Sequence, residues 1–260
     1  MLRVTVSVLA LLLTQCDEKP KDALAPAASA LSKPVAPREA QVFVIDSGTS
    51  NTTFSMDSEL EKISGRAPGA LRGELFVNLH DLTKSSGLVQ LDLDQLGIYQ
   101  RKRDDTSGEF GTETKNDKQN ADMRTWFEIS QDTPADVRQG NRWAEFKLTE
   151  LASPSLRDVS AAQAEHKLTA QVKGDFRLHG RVKPRSARLE IRVVYAAERP
   201  QALHVRTLEP LLVGLEEHDV RPRSAFGKLA DKTLDALGAK VAKVAQVSLE
   251  FTARPKSAAP

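Results

Sequence analysis

Val89-Gln90-Leu91-Asp92-Leu93-Asp94 reads apolar, polar, apolar, polar, apolar, polar. Side chains of a β-strand point alternately to its two faces, so this stretch predicts a strand dry on one face and wet on the other, with Asp92 and Asp94 on the wet face. The same period of two recurs outward in both directions. Leu75, Val77 and Leu79 alternate with Glu74, Phe76 and Asn78, and Phe54 and Met56 with Thr53 and Ser55. Toward the C-terminus, Ala144, Phe146 and Leu148 are set against Glu145 and Lys147. Leu168, Ala170, Val172, Phe176 and Leu178 run against Gln171, Lys173, Asp175 and Arg177. Leu189, Ile191, Val193 and Tyr195 run against Glu190 and Arg192, and Val247, Leu249 and Phe251 against Ser248 and Glu250. Strands with one wet face are the antiparallel pattern. Breaks at Gly65–Gly69, Ser85–Gly87 and Lys183–Pro184 predict hairpin turns. A long twisted sheet that is dry on one face removes its edges by closing on itself. The expected fold class is therefore all-β, an antiparallel barrel with one or two short helices in its connections.

Two segments break the alternation. Residues 116–129 predict a short helix, with Ala121 and Met123 ahead of Trp126 and Phe127. Residues 224–237 predict another: Ser224 is the N-cap, Phe226, Leu229, Ala230, Leu234 and Leu237 mark one face, and Gly238 ends it. Residues 100–119 are polar, charged and glycine-containing, and read as an exposed loop.

Composition removes several function classes. With 37 Lys+Arg against 35 Asp+Glu, interspersed, the 260-residue chain has no electrostatic footprint for nucleic acid. A single cysteine excludes a disulfide framework and thiolate-rich metal sites. His80, His166, His179, His204 and His218 show no metal-ligand spacing. No Gly-x-Ser-x-Gly elbow, phosphate loop or dinucleotide fingerprint appears, and Asp92 and Asp94 read as an ordinary surface carboxylate pair. No catalytic, metal or cofactor residue is assigned, and the chain does not read as an enzyme.

The N-terminus lies outside the barrel pattern. Arg3 followed by the apolar run Val4 to Leu13 reads as an export signal over residues 1–15, and is too short to span a bilayer. Leu13-Thr14-Gln15-Cys16 resembles the lipobox of bacterial lipoproteins, which implies lipidation of Cys16 and attachment to a membrane on the periplasmic side of the bacterial envelope. Gln15 departs from that pattern, which favours Gly, Ala or Ser there. From Pro20 to Ala40, Ala and Pro fill 11 of 21 positions. Residues 16–40 are therefore expected as a disordered tether.

Particular residues of the body resemble the YceI-like proteins, polyisoprenoid-binding, lipocalin-like barrels of the bacterial periplasm. Val44-Ile45-Asp46 with Asn51-Thr52-Thr53-Phe54-Ser55-Met56 is similar to the family's opening strand, and Arg72 to Val77 to its Gly-x-Leu-x-Phe strand. Asn116 to Asp122 ahead of Trp126-Phe127 is similar to its helix. The most specific piece is Val172-Lys173-Gly174-Asp175-Phe176-Arg177-Leu178-His179-Gly180-Arg181-Val182-Lys183-Pro184, similar to its Leu-His-Gly-x-x-Lys-Pro hairpin. Arg223-Ser224-Ala225-Phe226-Gly227 and the closing strand 246–252 complete the series. The family's histidine after the first strand is missing, with Asp57 and Ser58 in its place, and the regions 100–119 and 208–235 are longer than usual. The barrel domain is placed at residues 41–254, with a C-terminal tail at 255–260.

In a small barrel the inward faces either fill the lumen or leave a pocket for one ligand. The dry faces here are mostly Leu, Val, Met and Ala, a composition compatible with an elongated apolar cavity. The resemblance implies the same class of ligand, an isoprenoid or other long-chain lipid. The residues expected to line the lumen are Phe54, Met56, Leu75, Val77, Val89, Leu91, Leu93, Phe146, Leu148, Val172, Phe176 and Leu249. The alternative is a non-catalytic envelope scaffold with a filled barrel. His179 is expected to hydrogen-bond a turn rather than a ligand.

Overall fold

A computed structural model of the chain describes residues 28–59, 61–161, 163–221 and 243–256. The expected signal region, Cys16 and the helix expected over 224–237 lie outside the described residues. The strands are β1 (Gln41–Asp57), β2 (Glu61–Arg66), β3 (Leu71–Val77), β4 (Ser86–Asp92), β5 (Gly97–Lys102), β6 (Thr114–Lys115), β7 (Trp143–Ala152), β8 (Glu165–Leu178), β9 (Arg181–Ala196), β10 (Arg199–Thr207), β11 (Leu211–Gly214) and β12 (Val244–Pro255). Helices α1 (Asp117–Trp126) and α2 (Ala135–Asn141) lie between β6 and β7.

Eight of these strands close a ring in the order β1, β3, β4, β7, β8, β9, β10, β12, and β12 returns to β1 with Ile45 opposite Ala253. Every pairing around the ring is antiparallel. At one end the sheet continues beyond the ring. The second half of β1 pairs with β2, which carries β5 and β6, while β11 pairs with the start of β12. The opposite end is packed shut around Leu82, Val159 and Val193, where the Tyr195 hydroxyl donates to the Val159 carbonyl.

The predicted turns shift in detail. Lys183 and Pro184 lie inside β9; the turn is His179-Gly180, which joins Leu178 to its partner Arg181. Both turn residues have positive φ, 48° and 66°, as a two-residue hairpin matched to the sheet twist demands. Ser86 and Gly87 belong to β4, and the β3–β4 connection precedes them. Residues 65–69 are not a hairpin, because β2 and β3 pair with different halves of β1 rather than with each other. The clean run at Val89 also stops short. β4 ends at Asp92, whose carboxylate caps a short 3₁₀ turn, Leu93–Gln95. The segment 100–119 is largely exposed, but it folds back as a hairpin through Tyr99 opposite Lys115 and Arg103 opposite Phe110. The expected helix forms as α1 because the Asn116 side chain accepts from the Gln119 amide at its start. Asn120 then docks it, exchanging hydrogen bonds with both backbone groups of Ile98 on β5.

Nor is the outer face wet throughout. Phe76, Leu88, Glu145 and Arg177 point outward yet are buried. Residues 28–40, without helix or strand, run along this part of the wall. The strap passes Gly180 of the hairpin tip, then Glu145 and Lys147 of β7, then Glu74 and Phe76 of β3, and so reaches β1.

Candidate functional site: an apolar barrel lumen

The inward residues of all eight ring strands border one cavity of about 280 Å³. It extends from Leu82, Val193 and Leu203 at the packed end to Met123, Trp126 and Phe127 of the α1 region, with Ile63 of β2 and Leu211 of β11 at the flared end. The packed-end side chains are fully buried, whereas Phe54, Met56, Ile63, Trp126 and Leu215 at the other end are only half-buried. That end is the mouth.

All twelve residues expected in the lumen border this cavity: Phe54, Met56, Leu75, Val77, Val89, Leu91, Leu93, Phe146, Leu148, Val172, Phe176 and Leu249. The alternation placed them, because a closed barrel has one inside and every dry face meets there. Leu93 arrives differently, from the 3₁₀ turn after β4 rather than from the strand. Further lining comes from residues the pattern did not assign to the lumen. Ile191 and Val193 belong to a strand that was read, and Leu203 and Val205 of β10 alternate with Ala202 and His204 and were legible by the same signal. Leu211 and Val213 lie on a strand too short to announce itself.

Thr52 is the polar exception that matters most. It sits opposite the lumen residue Leu249 across β1 and β12, is 3% exposed, and its hydroxyl has no hydrogen-bond partner. Thr207, also on the lining, is satisfied by the Leu249 backbone. At the mouth, Gln119 donates to Glu61 through its amide nitrogen while its carbonyl oxygen is unpaired. Ser85, Ser86 and Glu145 also border the cavity, the Ser86 hydroxyl likewise without a partner. Because the remaining lining is hydrocarbon, a molecule lodged there is held chiefly by removal of its own apolar surface from water.

Asp92 and Asp94, expected as an ordinary surface carboxylate pair, instead share an ion pair with Arg142, and Asp92 is not on the surface. Asp92 is buried and takes a two-pronged guanidinium contact from Arg142, at 2.9 and 2.6 Å, and Asp94 lies 3.3 Å from the same Arg142. Burial works to raise the Asp92 pKa, but Arg142, the Gln95 amide and the Asp94 N–H together hold it below the ordinary carboxylate value. His179 and His218 are structural. His179 joins the hairpin tip to Glu128 just after α1 (2.9 Å) and to the His218 carbonyl (3.2 Å). The ring of His218 stands edge-on to Phe176, and burial lowers its pKa. Among the described residues no group of His, Cys, Asp and Glu is arranged to hold a metal ion, and no helix is long and apolar enough to cross a membrane.

No protein-family model matches the chain, and no curated protein matches it in sequence. Among solved structures, the chain is similar to a polyisoprenoid-binding domain from Saccharophagus degradans implicated in plant cell wall breakdown. The two share 14% identity at a TM-score of 0.51, over 83% of this chain and 99% of that one. BcnA of Burkholderia cenocepacia is a weaker match, 11% identical at a TM-score of 0.45, over 80% of this chain and 98% of that one. At such identities the likeness is one of fold. The closed antiparallel barrel that the YceI-like resemblance implied is the fold of this chain.

Proposed function

We propose that this protein is an envelope lipoprotein that holds one long apolar lipid, a polyisoprenoid or an acyl chain, inside its barrel as a carrier or sequestering protein. The observation that carries the reading is the lumen: an elongated cavity walled by Leu, Val, Ile, Phe and Met from every ring strand. A filled lumen would favour a scaffold, and the space in this one favours binding. The fold shared with a polyisoprenoid-binding domain supports the same ligand class. Lipidation of Cys16 would keep the carrier beside its lipid source, because several acyl chains, at about 0.8 kcal/mol per buried CH₂, anchor firmly.

Native mass spectrometry of the purified protein tests the reading. One long-chain lipid per barrel is expected, and stripped protein should melt higher when an isoprenoid or acyl chain is returned. Val89→Trp or Leu148→Trp, each filling the lumen, should weaken binding more than folding, while Lys102→Ala on the exposed hairpin leaves affinity unchanged. Identical masses before and after stripping, with no melting shift for any long-chain lipid, would transfer the protein to the scaffold class.

A further inference from the structure

The strap is docked at a defined register, and its docking has a direction. The Ala28 N–H donates to the Gly180 carbonyl at 2.7 Å, and the Ala28 carbonyl accepts from Arg177 Nε at 3.1 Å. The Leu31 N–H donates to Glu145 Oε2 at 2.8 Å, and the Lys33 ammonium pairs with Glu74 beside the Phe76 ring. Beneath it, Glu145 and Arg177 are 1% and 3% exposed, with their charged atoms 3.5 Å apart. Opposite charges taken out of water on a barrel's outer wall are costly unless their remaining hydrogen-bonding positions are filled. Gln90 and Gly140 fill two of them, and the strap backbone fills two more. The pair therefore selects the docked strap over a loose one.

The upstream end of the strap lies at the hairpin tip, which His179 ties to Glu128 after α1, at the mouth end of the barrel. In sequence, eleven residues, 17–27, separate Cys16 from Ala28. The average end-to-end span of a coil of that length is about 18 Å, whereas a ten-residue strand such as β7 is about 33 Å long. Three exposed large apolar side chains, Val137 of α2, Leu212 of β11 and Val244 of β12, also sit at the mouth end. Resting on the anchored-carrier reading above, we infer that the strap turns the mouth toward the bilayer that holds the N-terminus, so that this end of the barrel is a membrane-facing surface and lipid passes directly between bilayer and lumen.

The test uses the full anchored chain in phosphatidylcholine vesicles carrying doxyl-labelled lipid. Because Cys16 is the chain's only cysteine, one introduced thiol can carry a bimane fluorophore: Val137→Cys at the mouth, or Glu198→Cys in the β9–β10 turn at the packed end. Several-fold stronger quenching at 137 than at 198 is expected. Leu31→Pro removes the N–H that meets Glu145 without touching the barrel; it should speed tryptic cleavage after Arg38, the strap's cleavable basic site because Lys33 is followed by Pro34, and bring the two quenching values together. Equal quenching at the two sites, quenching at neither, or a ratio untouched by Leu31→Pro in a strap shown by trypsin to be released would overturn the inference. Native mass spectrometry of the same samples separates it from the carrier reading. Bound lipid without a quenching difference defeats the orientation alone, and a quenching difference without bound lipid defeats the carrier alone.

Discussion

Thr52 carries its hydroxyl into a hydrocarbon lumen with nothing to bond it. Leaving one buried polar group unsatisfied costs about 1–3 kcal/mol, so Thr52→Val, which keeps the shape and removes the orphan, should raise the melting temperature of stripped protein. A lower melting temperature would mean that the hydroxyl has a partner in solution. Asp92 obeys the opposite logic, since its partners are all present. Its folded-state pKa lies below the ordinary 3.8. Its contribution to stability is therefore full above the unfolded value and is lost as pH falls through the depressed folded one. Asp92→Asn should melt below wild type at pH 7, with the gap closing as pH drops under 3.8; parallel acid melting curves would remove Asp92 from the account. Glu190 on the outer wall is held at about 2 by hydrogen bonds from Arg206 and Lys167, so its stabilisation too is present at neutral pH and fades below the ordinary glutamate value of 4.5. Both carboxylates appear in the sequence as routine polar positions of alternating strands, because a period-two pattern says which face a side chain is on and nothing about what waits there. Asp92 is buried by Arg142, fifty residues away in the chain.

At the scale of elements, the β8–β9 hairpin shows what the local sequence specifies. Gly180 sits at φ 66°, where an alanine is strained by about 1 kcal/mol. Gly174 lies within β8 for a different reason. A Cβ there would stand 2.3 Å from the Lys147 carbonyl oxygen and 2.7 Å from the Phe146 ring, so the glycine lets a lumen aromatic lie against the neighbouring strand. Because backbone yields less readily than a side-chain tip, Gly174→Ala should cost more than Gly180→Ala, about 1–3 kcal/mol, in denaturant melts; the reverse order would show that the turn, not the strand contact, limits this hairpin. Strands β1, β3, β4, β7, β8, β9 and β12, their inward residues and α1 were read from the sequence, since each depends on neighbours two to four positions apart; β2, β5, β6 and β10 were not read. The pairing of β2 with only the second half of β1, the short β11 and helix α2 were not, because they rest on contacts made after the ring has closed. The strap was illegible for a related reason. Its Ala/Pro-rich sequence has no periodicity, and what docks it, Glu145 and Arg177, reads as ordinary outer-face polarity more than a hundred residues downstream.

At the scale of the whole molecule, closure gives the protein one interior, packed shut at Leu82 and Val159 and bordered by half-buried side chains at the mouth. A bounded interior makes a prediction that a sticky outer surface does not. Each CH₂ moved from water into the lumen contributes about 0.8 kcal/mol, roughly a fourfold gain in affinity. Dissociation constants measured for a homologous series of saturated chains should therefore fall about fourfold per added carbon until the chain reaches the packed end. Beyond that length the extra carbons stay at the mouth and affinity should level off. Binding also stabilises by mass action. Free ligand at 100 times its dissociation constant adds about 2.7 kcal/mol, a rise of about 5–10 °C for a domain of this size, and the melting shift should level off at the same chain length as the affinity. Leu148→Trp, by filling part of the lumen, should move both break points to shorter chains together. An affinity that keeps rising with chain length, or a break point that Leu148→Trp leaves in place, would put the bound chain on the outside of the barrel.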